Sequence, residues 1–257
     1  MQNYRFIFIV GASGSGTTML ARMLSSPAGC VGLGGNHVSI PKSDHRGYAI
    51  ARKFKKANDG MWDRTASAAR ADRGRREMRE LIDELLAMPA YRDVNRVLFK
   101  RSAPFHRGDR YRPDLSDLSE MFEDLRIVVV SRDPRASTAS SHRRRFAGNL
   151  RACAVITEEQ LTYLSSQLAT LDPSAYMSFA YEDFCRAPVE WMGRIAGFCG
   201  LPRDLLEQAI REEGIDPRRN EVWQQRLGPE DRAFLNGFFD ARRLRQWPNL
   251  AEPHVPS

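Results

Sequence analysis

The stretch FIVGASGSGTTML, from Phe8 to Leu20, constrains the fold more than any other part of the chain. Its first residues are apolar and predict a strand, which a glycine-rich turn joins directly to the start of an apolar helix. Gly11, Gly14 and Gly16 keep this backbone open to close approach, and serine and threonine hydroxyls surround them. Because free amides at a helix N-terminus bind anions, the stretch predicts a phosphate-binding loop.

This loop lacks the lysine of nucleoside-triphosphate sites. In the pattern G-x-x-x-x-G-K-[ST] the lysine neutralises the β- and γ-phosphates and the next hydroxyl binds magnesium. The chain has Thr17 at the lysine position. We therefore expect amides and hydroxyls to hold a single phosphate group rather than a magnesium-bound triphosphate. The predicted anion-binding residues of the loop are Ser13, Gly14, Ser15, Gly16, Thr17 and Thr18.

A second anion-binding feature follows the segment RIVVVS, Arg126–Ser131. Its consecutive β-branched residues predict a buried strand. Triphosphate hydrolases of this architecture normally end such a strand in an aspartate that helps to place magnesium. Here the strand ends in Ser131 and Arg132, and Asp133 comes one residue late. An arginine at the carboxyl end of a central strand is placed to bind an anion, not a metal.

The charge balance is consistent with an anionic ligand. The net charge is +7, and lysine supplies only five of the 39 basic residues. Arginine matches phosphate and sulfate oxygens in pairs, although a general compositional bias explains the same count. The arginines are dispersed and form no recognised nucleic-acid module, so no nucleic-acid partner is expected. No apolar run is long enough to span a membrane, and four widely spaced cysteines indicate a reduced, cytoplasmic protein without a metal site.

Hydrophobic periodicity predicts strands that alternate with helices. Predicted strands are Tyr4–Val10, Cys30–Leu33, Arg96–Phe99, Arg126–Ser131 and Met177–Tyr181. Predicted helices are Thr17–Ser26, Thr65–Met88, Asp114–Glu123, one from Pro134, one from a capping box at Thr157 and Gln160 to Leu171, Val189–Cys199, Arg203–Glu213 and one opened by Gly228. The alternation predicts an α/β fold with helices on both faces of a parallel sheet, in one domain spanning 1–257.

Two of these segments together resemble the sulfotransferases that use 3′-phosphoadenosine-5′-phosphosulfate (PAPS). FIVGASGSGTTML is similar to the 5′-phosphosulfate-binding loop of that family, and RIVVVSRDPRASTASS is similar to its 3′-phosphate-binding segment. In the second segment Arg132 and Ser140 match the family's arginine and serine. YEDFCRAPVEWMGRIAGFCGLP and QRLGPEDRAFL also resemble bacterial members, in the same order along the chain.

The resemblance implies a three-layer α/β sandwich around a central parallel sheet, similar to P-loop NTPases, with helical cap segments over the cleft. It also implies transfer of a sulfuryl group from PAPS to a hydroxyl or amine of a small-molecule or glycosidic acceptor. The product is adenosine 3′,5′-bisphosphate, and no metal is required. The segments 37–95 and 142–172 are expected to recognise the acceptor, and the protein is expected to be a monomer or homodimer. A degenerate small-molecule kinase and a non-catalytic nucleotide-binding protein stay open as alternatives.

The chain departs from the family pattern within the loop. Many members carry a lysine or arginine immediately before the Ser-Gly pair to assist the leaving phosphate, and the matching residue here is Gly14. Lys100 is the candidate to supply that charge, because it follows a predicted strand and resembles the lysine of the family's Lys-Thr-His-Leu-Pro or Lys-[ST]-Pro segment. Arg218 or Arg219 is expected to reach the 3′-phosphate, as a late basic loop does in many relatives.

The catalytic base is less well specified. Where Lys-Thr-His-Leu-Pro places its histidine, this chain has Ser102. His37 follows the second strand, where several bacterial relatives place a catalytic glutamate, and His106 lies just beyond Pro104. A histidine suits the task because its ordinary pKa is about 6.5. His37, His106 and an acidic residue therefore stay open as the base, whereas His142 is expected to be solvated.

Overall fold

The computed structural model describes residues 4–26, 29–33, 39–63, 67–102, 114–240, 247, 250 and 252–256. Within them, five parallel strands form one sheet in the order β2-β3-β1-β4-β5. The strands are β1 (Arg5–Gly11), β2 (Cys30–Leu33), β3 (Arg96–Ser102), β4 (Leu125–Ser131) and β5 (Tyr176–Ala180). The phosphate loop therefore leaves the central strand, because β1 lies between β3 and β4.

Helices cover both faces of this sheet. One face packs against α2 (His45–Met61), α3 (Ala68–Leu86), α4 (Leu115–Met121) and α6 (Leu150–Leu168). The other packs against α1 (Thr17–Leu24), α7 (Tyr181–Arg186), α8 (Pro188–Cys199) and α9 (Arg203–Glu213). Alternate residues of β1 enter the two cores, Phe6 and Phe8 on the first face and Ile7 and Ile9 on the second. This confirms the predicted three-layer α/β sandwich.

The described residues contain three further α-helices: α5 (Pro134–Arg143), α10 (Val222–Arg226) and α11 (Pro229–Phe238). Helix α5 packs beside α6, and α10 packs against α5. Near the C-terminus, Ser178 of β5 and His254 form an antiparallel bridge, with N–O distances of 2.8 and 2.9 Å. None of the helices within the described ranges is long and apolar enough to span a bilayer.

The predicted capping box is wrong. Helix α6 begins at Leu150, and the side chain of Asn149 caps it by accepting from the amide of Ala152 at 2.8 Å. Thr157 and Gln160 lie inside the helix, where both are buried. The hydroxyl of Thr157 donates to the carbonyl of Cys153 at 2.9 Å, a bond that a threonine makes within a continuous helix. The two residues therefore serve the interior and not a helix start.

Candidate functional site

A cleft of about 900 Å³ opens at the carboxyl ends of β1 and β4. These strands are neighbours, but the helices that follow them, α1 and α5, lie on opposite sides of the sheet. Ligands of open α/β sheets bind at such a switch point. The phosphate loop, α5 with its C-terminal turn, and residues between 219 and 231 line the cleft. The predicted loop and the predicted arginine segment thus face a common space.

Two glycines fix the shape of the loop. Gly14 has φ +91° and Gly16 has φ +96°, in the left-handed region that other residues rarely adopt. A Cβ on Gly14 would lie 2.7 Å from the carbonyl oxygen of Ser137, and one on Gly16 would lie 2.5 Å from the ring of Tyr181. The loop is therefore held between α5 and Tyr181. A lysine or arginine at position 14 cannot be accommodated without moving α5.

The loop offers several unpaired donors to the cleft. The amides of Gly14, Gly16, Thr17 and Thr18 donate to no other residue in the described part of the chain. Gly14, Gly16 and Thr18 line the cleft directly. Ser15 is buried, its amide donates to the carbonyl of Ala12 at 3.1 Å, and its hydroxyl has no described partner. This arrangement of free amides at the start of α1 suits a bound anion.

Ser13 differs from the other predicted loop residues because its backbone amide and carbonyl are both hydrogen-bonded to side chains of other helices. Its amide donates to Oε1 of Gln160 at 2.8 Å, and its carbonyl accepts from the hydroxyl of Ser141 at 3.1 Å. The Gln160 amide also donates to the Ser13 hydroxyl at 3.3 Å. Because all of these groups are buried, Ser13 anchors the loop to α5 and α6 and its amide is not free for a ligand.

Sequence reasoning missed this role of Gln160. The residue lies on the buried face of α6 with Cys153, Thr157 and Leu164. A glutamine within such a stripe is a signal for a buried polar contact, because an unpaired amide is costly in the interior. The capping-box interpretation concealed that signal.

Arg132 connects the two sides of the cleft. Its guanidinium donates to the carbonyl of Gly14 at 2.9 Å and to the carbonyl of Arg219 at 2.9 Å. It lies over the ring of Tyr181, 4.7 Å from the centroid, and its Nε is 4.0 Å from Glu182. The side chain is only 11% exposed. Arg132 therefore lines the cleft while it also ties the loop to the segment around Arg219.

Ser140 lies where the sequence pattern places it, facing the loop. Its Cβ is 3.1 Å from the position that a Cβ on Gly14 would occupy, and it lines the cleft with Arg132. Asp133, one residue beyond Arg132, is occupied elsewhere. Its carboxylate accepts from the amide of Arg135 at 2.8 Å and pairs with the Arg135 guanidinium at 2.7 Å. The acid after β4 therefore caps α5.

Arginine dominates the charged lining of the cleft. The basic residues are Arg22, Arg132, His142, Arg143, Arg144, Arg219 and Arg226, and the acidic ones are Glu213 and Asp231. Arg22 forms an ion pair with Glu213. His142 is half-buried and lines the cleft, so its side chain is only partly exposed to solvent. An excess of positive charge in a concave site favours an anionic ligand.

The structure distinguishes between Arg218 and Arg219. Arg219 lines the cleft, whereas the Arg218 guanidinium donates to the carboxylate of Asp216 at 3.0 Å and is absent from the cleft lining within the described ranges. That hydrogen bond raises the pKa of Arg218 and lowers the pKa of Asp216. Arg219 is therefore the better placed of the two to contact a ligand.

Lys100 lies near the carboxyl end of β3 and pairs in register with Ile9 of β1. Burial lowers the pKa of its amine to about 8, and the neighbouring charges of Arg101 and Arg144 lower it further. No hydrogen bond or ion pair joins its amine to another residue that the structure describes. His37 and His106 lie outside the described residues.

A glycine-rich loop after the central strand, in a parallel sheet ordered β2-β3-β1-β4-β5, defines the phosphate-loop class of α/β proteins. Within this class the chain belongs to the sulfotransferase family, whose model matches residues 7–205. The match includes the loop, the Arg132–Ser140 segment and α8. No curated protein matches the sequence.

Solved sulfotransferase structures share the fold. The sulfotransferase domain of the Synechococcus PCC 7002 olefin synthase is 18% identical, with 93% of this chain and 96% of that chain covered and a TM-score of 0.55. A sulfotransferase from Alicyclobacillus acidocaldarius is 16% identical, with coverage of 98% and 96% and a TM-score of 0.59. Mouse sulfotransferase SULT7A1, complexed with PAP, is 12% identical, with coverage of 95% and 84% and a TM-score of 0.54.

Proposed function

We propose that this chain transfers a sulfuryl group from PAPS to a hydroxyl or amine of a small-molecule or glycosidic acceptor. The observation that carries the proposal is the shared cleft, in which the unpaired amides at Gly14 and at the start of α1 face arginines from α5 and from the segment around Arg219. Membership of the sulfotransferase family and the PAP complex of mouse SULT7A1 support the same donor. The reaction forms a sulfur–oxygen bond to a hydroxyl acceptor or a sulfur–nitrogen bond to an amine acceptor, breaks the sulfur–oxygen bond to the donor phosphate and releases the acceptor's proton.

The residues of the cleft fit a donor with two separated anionic groups. The loop amides and the hydroxyl of Thr18 would hold the 5′ group at the N-terminus of α1. Arg132, Ser140 and Arg219 would hold the 3′-phosphate, with guanidinium groups donating in pairs. A sulfuryl group carries less charge than a terminal phosphoryl group, so donors for the leaving phosphate suffice and we propose that no metal is needed.

We propose a histidine as the general base for the acceptor's proton, with His37 as the first candidate and His106 as the second. The ordinary pKa of histidine lies close to neutral pH, where a base removes a proton most efficiently. The segments 37–95 and 142–172 are proposed to recognise the acceptor. Of these, α2, α3 and α6 pack against one face of the sheet.

We expect nucleotide affinity to depend on pH through the charge of Lys100. Its pKa of about 8 means that it loses its charge as the pH rises through 8, whereas an ordinary lysine stays charged to about 10. Lys100 is absent from the described lining of the cleft, but its charge interacts with that of Arg144, which lines it. An anion bound in the cleft favours the charged form of Lys100, so affinity for adenosine 3′,5′-bisphosphate is expected to fall above pH 8. Titration calorimetry between pH 6.5 and 9.5 measures this fall. Lys100→Arg keeps its charge throughout and should flatten the profile, and identical profiles would contradict the role of Lys100.

The donor assignment is tested by titration calorimetry with adenosine 3′,5′-bisphosphate, with and without EDTA. We expect micromolar binding that EDTA does not change, and transfer of label from PAPS to one or more members of a panel of hydroxylated and amino metabolites. Tight binding of ATP that requires magnesium, with no binding of the bisphosphate, would indicate a kinase instead.

A further inference from the structure

Two successive peptide groups at the start of the phosphate loop are fixed from the interior of the protein. The first carries the amide of Ser13, which donates to Oε1 of Gln160 at 2.8 Å. The second lies between Ser13 and Gly14, and its carbonyl accepts from the hydroxyl of Ser141 at 3.1 Å. All three side chains in these contacts are buried. The chain therefore enters the turn at Gly14 with both peptide planes already set.

The contact with Ser141 also determines the direction of the Gly14 amide. In a planar trans peptide group the C=O and the N–H point in opposite directions, so fixing the carbonyl of Ser13 fixes the N–H of Gly14. Ser141 is buried and lies outside the described cleft lining, whereas Gly14 lines the cleft. The N–H of Gly14 consequently points away from the buried hydroxyl, and it donates to no other described residue. This orientation leaves it available to an anion at the loop.

The hydroxyl of Ser141 makes a contact between distant segments rather than a contact within its own helix. A serine or threonine inside a helix commonly donates to the carbonyl four residues earlier, as Thr157 does to Cys153 at 2.9 Å. Ser141 instead donates to a residue that is 128 positions away in the sequence. An alanine at this position would remove the donor, and α5 would no longer hold the peptide group between Ser13 and Gly14 in its plane.

The two helices that supply these contacts are also joined beside the loop. The hydroxyls of Thr138 on α5 and Thr157 on α6 are 3.1 Å apart, and both residues are buried. Gln160, one turn further along α6, reaches Ser13 through both ends of its amide, since Nε2 also donates to the Ser13 hydroxyl at 3.3 Å. The loop is thus attached to a helix pair that has its own hydrogen bond.

We propose that Ser141 is a positioning residue for the donor: its hydroxyl orients the amide of Gly14 so that this amide donates to the 5′ group. Gln160 supports the same orientation by fixing the preceding peptide group. The inference rests on the proposed function, in which the loop holds the 5′ group and the arginine side of the cleft holds the 3′-phosphate. Neither Ser141 nor Gln160 belongs to the described cleft lining, so both act through the loop.

Two mononucleotides distinguish this role from a general effect on stability. Adenosine 5′-monophosphate and adenosine 3′-monophosphate are titrated calorimetrically into the unmodified chain, Ser141→Ala and Gln160→Met. We expect each variant to weaken binding of the 5′-nucleotide about fivefold or more and to leave the 3′-nucleotide within about twofold, because only the 5′ group contacts the loop. Methionine is close to glutamine in size, so Gln160→Met removes the hydrogen bonds without opening a large cavity.

Thr138→Val is the matched control. Like Ser141→Ala it removes one buried hydroxyl of α5, but the hydrogen bond that it breaks joins two helices and does not reach the loop. Its melting temperature should fall as in the other variants, while both nucleotides bind as they do to the unmodified chain. The melting temperature of each variant also shows that it is folded.

The outcomes separate the positioning role from the donor assignment. Unchanged binding of the 5′-nucleotide in Ser141→Ala or in Gln160→Met, equal losses for both nucleotides, or the same loss in Thr138→Val would overturn the positioning role. Failure of the unmodified chain to bind either nucleotide would overturn the donor assignment itself.

Discussion

Arg132→Ala is expected to weaken binding of adenosine 3′,5′-bisphosphate by about 2–4 kcal/mol, or about 30- to 1000-fold. The substitution removes a guanidinium that is almost fully buried beside the cleft. It also removes the hydrogen bonds to the carbonyls of Gly14 and Arg219, each 2.9 Å long. Both the proposed ligand contact and the connection between the two walls of the cleft are lost. Titration calorimetry measures the change in dissociation constant.

Two variants make this test specific. Arg132→Lys keeps the charge but cannot reach both carbonyls at once, so we expect a loss intermediate between the unmodified chain and Arg132→Ala. Arg186→Ala is the control, because Arg186 is exposed on α7 and pairs only with Asp183 among the described residues. An unchanged dissociation constant in Arg132→Ala would remove the anion-binding role of this residue.

Gly14→Lys is expected to destabilise the protein by about 2–5 kcal/mol, even though it restores a residue type that many family members carry at this position. A side chain there must adopt φ near +91° and displace the backbone of α5 at Ser137. The movement disrupts the loop, so nucleotide binding should be lost as well. Thermal unfolding and calorimetry measure the two effects.

Gly148→Lys is the matched control for this prediction. A Cβ on Gly148 meets no atom within 4 Å, so the same substitution there should leave stability within about 0.5 kcal/mol. If Gly14→Lys unfolds at the same temperature as the unmodified chain and binds the bisphosphate more tightly, the loop is not held as the structure indicates.

The fold was largely predictable because its main signals are local. Runs such as Arg126–Ser131 show the buried strands of a parallel sheet, and the turn at Gly14 and Gly16 shows the phosphate loop. The start of α6 was mispredicted because Thr157 and Gln160 satisfy a local capping pattern, whereas tertiary contacts determine their environment.

The candidate site was predictable only in part. The eight-residue spacing between Arg132 and Ser140, from the end of β4 into α5, was enough to predict that both residues line the same cleft as the loop. The anchoring of Ser13 by Gln160 and the packing of Tyr181 on Gly16 depend on contacts between segments far apart in the chain. Such contacts leave no periodic signal in the sequence. His37 and His106 stay predictions for the base.

The two carbonyl contacts of Arg132 have a consequence for how a ligand is recognised. They join the walls of the cleft before any ligand binds, so part of the conformational entropy needed to order the binding site is already lost on folding. A preorganised binding site of this kind distinguishes ligands by their shape and by the distance between their anionic groups. We expect it to reject nucleotides whose phosphates are spaced differently, rather than to adapt to them.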